Sequence, residues 1–100
     1  MLYKIKSIQH SGTFGERYSE RTDGRYPDRI GRIVYIDVKN IEYNRPLIIW
    51  YIKDSDGTPM RMKYLKTSHV KGFGLNGVTK YLTVETENSI FEFEKIYEDE

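Results

Sequence analysis

YLTVETENSIFEFEKI, residues 81–96, decides the fold class. Leu82 and Val84 alternate with Thr83 and Glu85, and Phe91 and Phe93 alternate with Glu92 and Glu94. Successive side chains of a strand point to opposite faces, so each half reads as a strand with an apolar and a polar face. Glu87-Asn88 joins the halves, and Asn tolerates the left-handed conformation of a tight turn better than other non-glycine residues. The stretch is therefore a β-hairpin, YLTVET (81–86) and SIFEFEKI (89–96), with Leu82, Val84, Phe91 and Phe93 facing a core.

The same signal recurs toward the N-terminus. LYKIKSI (2–8) alternates lysines with Tyr3 and Ile5, and IGRIVYIDV (30–38) is rich in β-branched residues, with Gly31 as a bulge or close-approach point. LIIWYI (47–52) is apolar on both faces, which predicts the most enclosed strand, with Trp50 in the core beside Leu47, Ile49 and Tyr51. MRMKYL (60–65) predicts a strand with Met60, Met62 and Tyr64 inward and Arg61 and Lys63 outward. Between these runs lie turns. Arg45-Pro46 ends the connection before LIIWYI; DSDG (54–57), with Gly57 in the left-handed region and Pro59 just beyond, makes a tight turn. KGFGLNG (71–77) reads as a flexible glycine loop. Only the connection from His10 to Arg29 is long, at about twenty residues against the usual 2–5 of a hairpin. No helix of useful length is indicated, and an OB-fold would want one between its third and fourth strands. The expectation is an all-β single domain over residues 1–100: a small six-stranded antiparallel barrel, SH3-like, with one long loop after the first strand.

Composition narrows the chemistry. Cysteine is absent, which excludes disulfides, thiolate nucleophiles and Cys-type zinc sites. No apolar run approaches the ~20 residues of a membrane helix. MLYKIKSIQHSG lacks the apolar core of a signal peptide, so a cytoplasmic location is expected. The net charge of +1 conceals a segregation. Residues 57–84 carry Arg61, Lys63, Lys66, Lys71 and Lys80 with no acid, while Glu85, Glu87, Glu92, Glu94, Glu98, Asp99 and Glu100 crowd the end against Lys95 alone. A basic stretch can recruit polyanions, or an acidic strand folded beside it can neutralise it. Neutralisation is the default expectation.

Three motifs dissolve on inspection. Gly72-Phe73-Gly74-Leu75-Asn76-Gly77 fits G-x-G-x-x-G, but a dinucleotide site needs that loop to open a helix, and VTKYLTVET after it is a strand pattern. Asp54-Ser55-Asp56-Gly57 is no EF-hand loop, since the sixth and twelfth positions fall on Pro59 and Leu65. His10 and His69 each neighbour a serine, Ser11 and Ser68, but adjacent strand residues face opposite ways and cannot form a Ser–His pair; His10 approaching Ser68 through space stays open. No catalytic, cofactor-binding or metal-ligating set emerges, and an enzyme is not expected.

The long loop holds a repeated phrase. Arg17-Tyr18-Ser19-Glu20-Arg21 is echoed by Arg25-Tyr26-Pro27-Asp28-Arg29. Arginine forks bind phosphates and tyrosine faces stack on bases, the combination used by single-strand binders. Glu16, Glu20, Asp23 and Asp28 share the segment, and arginine–carboxylate forks with packed tyrosines equally let a long loop brace itself. Bracing is the favoured reading, with Arg25 or Arg29 paired to those acids, although a braced loop is also a better binding surface.

Residues 65–96 resemble the ending of short β proteins of Gram-positive bacteria and their mobile elements. That ending runs Thr-Ser-x-Val, a turn, then Leu-x-Val-x-Thr-x-Asn-Ser-x-aromatic, on Thr67, Ser68, Val70, Leu82, Val84, Thr86, Asn88, Ser89 and Phe91. RYPDRIGRI (25–33) resembles their arginine-rich lead-in to the second strand. The resemblance implies a small β domain and brings no activity. The reading is a non-enzymatic binding or regulatory module acting on a protein partner. The alternative is nucleic-acid binding through Arg17, Tyr18, Arg21, Arg25, Tyr26 and Arg29 of the loop with Arg61 and Lys63 of the basic stretch 60–71.

Overall fold

The computed structural model describes residues 2–96. Six strands close into one antiparallel barrel in chain order: β1 (Leu2–His10), β2 (Ile33–Tyr35), β3 (Pro46–Lys53), β4 (Tyr64–Leu75), β5 (Tyr81–Thr86) and β6 (Ser89–Lys95). β6 returns to β1, with Tyr3 opposite Lys95 and His10 opposite Ser89. A single inner face collects the core: Tyr3, Ile5, Ile8, Val34, Ile36, Leu47, Ile49, Tyr51, Val70, Leu82, Val84, Phe91 and Phe93 are all buried. Tyr3 meets Phe93 edge-on at 6.2 Å, and Phe91 stacks on Phe93 at 5.8 Å, geometries that suit the aromatic quadrupole. Among the described residues no helix is long and apolar enough to cross a membrane.

The hairpin 81–96 folds as read, with Leu82 opposite Phe93 and Val84 opposite Phe91. Its turn at Glu87-Asn88 needs no left-handed residue, because among the described non-glycine residues positive φ falls on Tyr18, Asn44, Met62 and Lys80. Gly57 closes the 54–57 turn at φ 90°, as expected.

Elsewhere the barrel rewrites several expectations. The run 30–38 yields only Ile33–Tyr35 as strand. Gly31 lies in the turn before it at φ 91°, where its N–H donates to the Ile5 carbonyl. A 3-10 turn over Val38–Asn40, capped by the Asp37 carboxylate, ends the extended stretch beyond it. β3 is not enclosed on both sides. Leu47, Ile49 and Tyr51 are buried, while Trp50 is 45% exposed and Ile52 lies outside as well. The reason is geometric: a closed barrel has one interior, no second layer covers β3, and one of its two apolar faces must meet solvent.

MRMKYL (60–65) is not a strand. The chain stays irregular to Lys63, Met62 takes φ 56° and is 92% exposed, and β4 starts only at Tyr64. Shifting the start changes the phase, so Leu65, Thr67 and Val70 turn inward and Tyr64 outward. The glycine loop 71–77 is also overturned in part. Gly72 and Gly74 sit within β4 opposite Glu85 and Thr83, and the turn occupies Asn76 to Lys80. Backbone pairing needs no side chain, and at both glycines an added Cβ would meet open space. Finally, β6 lies beside only the end of the basic stretch, Tyr81 to Val84, and among the described residues no ion pair joins its glutamates to Arg61, Lys63, Lys66, Lys71 or Lys80. Its neighbours are β1 and β5, and its contact with a cation there is Lys6–Glu94 at 3.9 Å. Glu98, Asp99 and Glu100 fall outside the described residues.

Candidate functional site: a cationic groove at the end of an aromatic row

The two copies of the arginine–tyrosine phrase have separate fates. The first is bound to the barrel. His10 N–H donates to Ser19, Tyr18 N–H returns to His10, and Arg21 N–H donates to Ile8, so the loop lies along β1 as an extra edge. Arg17 forks onto Glu85 of β5 at 2.9 and 2.7 Å, and that fork holds the Glu85 carboxyl below its ordinary range. Arg21 is buried. It grips Asp23 at 3.2 and 2.7 Å, donates to the Ser89 hydroxyl at 2.8 Å, and lies 3.9 Å over the Tyr26 ring. Asp23 is accordingly lowered, chiefly by Arg21. Tyr18, exposed at φ 72°, rests under the Arg17 guanidinium.

The motif at the distal end explains how an arginine can be buried here. Thr86 and Ser89 bond each other across the hairpin, Thr67 accepts the Leu47 N–H, and Ser68 accepts the Asn88 N–H. With Tyr26 they line a small cavity of about 50 Å³, and Arg21 is one more member of that polar network. Burying a guanidinium is tolerable only with this many partners.

The second copy faces out. Its residues form the short helix α1 (Tyr26–Arg29), with Pro27 near its start, where a missing N–H costs nothing. Tyr26 carries both the Arg21 guanidinium and, at 4.7 Å from its ring centre, that of Arg29. This clamp aims α1 across the end of β3 and β4. Arg25 and Arg29, expected to pair with Glu16, Glu20, Asp23 or Asp28, form no ion pair among the described residues: Arg21 has taken Asp23, and Glu16, Glu20 and Asp28 form none there. Arg25 and Arg29 instead converge with Arg32 and Lys63 on a groove of about 400 Å³, walled by Tyr51, Tyr64, Met60, Met62 and Leu65. Arg32 lies 4.7 Å over the Tyr51 ring and bonds Asp54 at 3.1 Å. Asp54 is lowered first by the Ser55 N–H and then by Arg32. No carboxylate lines the groove itself. Arg61 is exposed just outside it, whereas Arg17, Tyr18 and Arg21 belong to the clamp on the other side of the loop.

A row of three rings, two of which (Trp50 and Tyr64) were expected inside, adjoins this groove. Tyr35 is directly opposite Trp50, and Trp50 directly opposite Tyr64, across β2, β3 and β4. All three are exposed, at 43%, 45% and 53%. Trp50 and Tyr64 are in ring contact at 5.0 Å. With adjacent strands about 4.8 Å apart, the row spans about 10 Å. One end, Tyr64, is a wall of the cationic groove; the other, Tyr35 with Trp50, lines a second recess of about 350 Å³ near Asp37 and Pro46. The signal was present in LIIWYI: once a barrel is expected, one of its two apolar faces has to be outside.

Neither histidine meets a serine hydroxyl among the described residues. His10 lies 3.8 Å from Asp23, and His69 lies 3.3 Å from Glu87. Compared with protein-family models, curated proteins and solved structures, the chain matches none.

Proposed function

We propose that this domain binds single-stranded nucleic acid on the outer face of β2, β3 and β4. The observation that carries the reading is the continuous row Tyr35–Trp50–Tyr64 ending in the Arg25–Arg29–Lys63 groove. Exposed aromatic faces stack on bases of any identity, and unpaired guanidinium and ammonium groups take the backbone phosphates. Charge placement supports it. In a six-membered ring of strands β6 lies across from β3, so Glu92 and Glu94 are on the far flank from the row. A polyanion approaching the Tyr64 end of the row therefore meets cations first, while Asp37 lies at the Tyr35 end. Closure of the barrel also removes the open strand edge by which a protein partner would add a strand.

The row supplies its own probe, because Trp50 is the single tryptophan. Titration with an oligothymidylate should quench its emission, and the logarithm of affinity should fall with the logarithm of salt at about −0.7 per phosphate contact. Tyr64→Ala should weaken binding by about 1–3 kcal/mol with the slope unchanged, since stacking carries no charge. Absence of any quenching or retention at about 50 mM salt, where such contacts are strongest, sinks the reading.

A protein partner is the second reading, and the apolar flank of the same face favours it: Ile52 and Met62 are exposed beside Trp50 and Tyr64. Aromatic, methionine and arginine side chains are also enriched in protein interfaces. That partner would bind with weak dependence on salt, which separates the two.

A further inference from the structure

Four cations converge on the groove while a single carboxylate, Asp54, answers one of them from its margin. That leaves Arg25, Arg29 and Lys63 without an ion pair among the described residues. An internal phosphodiester carries one negative charge, whereas a phosphomonoester carries close to two at neutral pH and offers three acceptor oxygens. A second observation points the same way. Tyr51 forms part of the groove wall beneath Arg32, and its buried hydroxyl has no hydrogen-bond partner among the described residues. Such a hydroxyl costs stability unless something else satisfies it. The groove also lies where the aromatic row stops: Tyr64 is the last ring, and α1 with Arg25 and Arg29 closes the far side.

We propose that the groove is a terminal-phosphate site, which takes the phosphomonoester end of a single strand whose last bases stack on Tyr64 and Trp50. This rests on the single-strand reading and adds to it a polarity and an end requirement. Arg25, Arg29 and Lys63 hold the dianion, and the Tyr51 hydroxyl donates to one of its oxygens. α1 is the stop that prevents the strand from running on through the groove.

The test is an anisotropy titration of the full chain with a short oligothymidylate bearing a 5′-phosphate, a 3′-phosphate or neither, dye-labelled at the opposite end. A phosphoserine peptide is run alongside. One phosphorylated form should bind about tenfold more tightly than the unphosphorylated strand, the scale of a charge-assisted hydrogen bond. The preference should shrink as pH falls through about 6, where the monoester dianion takes up one proton and becomes a monoanion. Arg25→Ala and Tyr51→Phe should both bring the phosphorylated-to-unphosphorylated ratio toward one. Tyr51→Phe removes only an unpartnered hydroxyl, so a melting curve like that of the parent protein verifies its fold. Equal binding of all three oligonucleotides would overturn the end requirement while leaving single-strand binding in place. No binding of any oligonucleotide overturns both. Preference for the phosphoserine peptide overturns the nucleic-acid source.

Discussion

Arg17-Tyr18 and Arg25-Tyr26 are the same words eight residues apart, yet one pair is clamped to the barrel and the other stands at the mouth of a groove. Apart from Pro27 in place of Ser19, little in their immediate neighbours separates them, since each lies among acids of its own. The difference is made by residues far along the chain. Arg17 and Arg21 come to rest beside the β5–β6 hairpin, where Glu85, Ser89 and the Asn88 carbonyl wait as acceptors. Arg25 and Arg29 come to rest against β3 and β4, whose adjoining side chains are Tyr51, Tyr64, Met62 and Lys63. A guanidinium that meets acceptors becomes part of the fold; one that meets rings and another cation remains available. Tyr26 joins the halves, because the ring that packs on buried Arg21 also carries Arg29.

The hardest blow to the comparison comes from beneath both copies. Ile49 is fully buried in β3, and Ile49→Ala should cost about 2–5 kcal/mol in urea unfolding. Both halves of the loop should be lost in that same transition; earlier loss of the loop would mean that it is not part of the barrel's cooperative unit. Next in size is Arg21→Ala, expected to cost about 2–3 kcal/mol by deleting charge-assisted bonds to Asp23 and Ser89. Lys at this position should not restore it, since an ammonium cannot reproduce the fork or the stacking on Tyr26. Because Tyr26 relays the clamp, Arg21→Ala should weaken oligonucleotide binding as well.

Smaller effects sharpen the contrast. Arg25→Ala should change stability by no more than about 0.5 kcal/mol, as for other exposed sites. It should nevertheless make the salt dependence of binding shallower by about one phosphate contact. Arg17→Ala should do the opposite, lowering the urea midpoint without altering the salt slope, because its guanidinium is occupied by Glu85. Equal slope changes for Arg17→Ala and Arg25→Ala would erase the distinction between the copies. The mildest test is acid. Glu85 and Asp23 are both held below their ordinary values by arginine. The folded protein thus binds fewer protons than the unfolded chain, and stability rises with pH through this range. The contribution is complete above the ordinary Glu value of 4.5 and is lost as pH falls below it through the depressed value of the folded state. Glu85→Gln should make the acid side of a midpoint-against-pH curve less steep.

Much of this was legible in the residues. The strict alternation at Leu82-Val84 and Phe91-Phe93 survives in register because a period-two pattern permits only one burial-consistent phase. Residues 60–65 had no such protection. Met60, Met62 and Tyr64 alternate as well, but the irregular stretch through Lys63 resets the phase, and a start at Tyr64 sends Tyr64 outward. Glycines 72 and 74 suggested a loop because strand propensity reflects side-chain packing, while the ladder to Thr83 and Glu85 needs only backbone.

Sequence by itself determined that this chain is all-β, where most strands lie, and which of Leu82, Val84, Phe91 and Phe93 share a face. Those are properties of local periodicity and turn chemistry, settled within a few residues. Which of the two apolar faces of LIIWYI lies outside, and the parting of the two arginine–tyrosine copies, were decided only in three dimensions. Each depends on residues roughly fifteen to seventy positions apart meeting, as Trp50 meets Tyr35 and Arg17 meets Glu85. A closed ring leaves one interior, and whatever it cannot admit becomes surface.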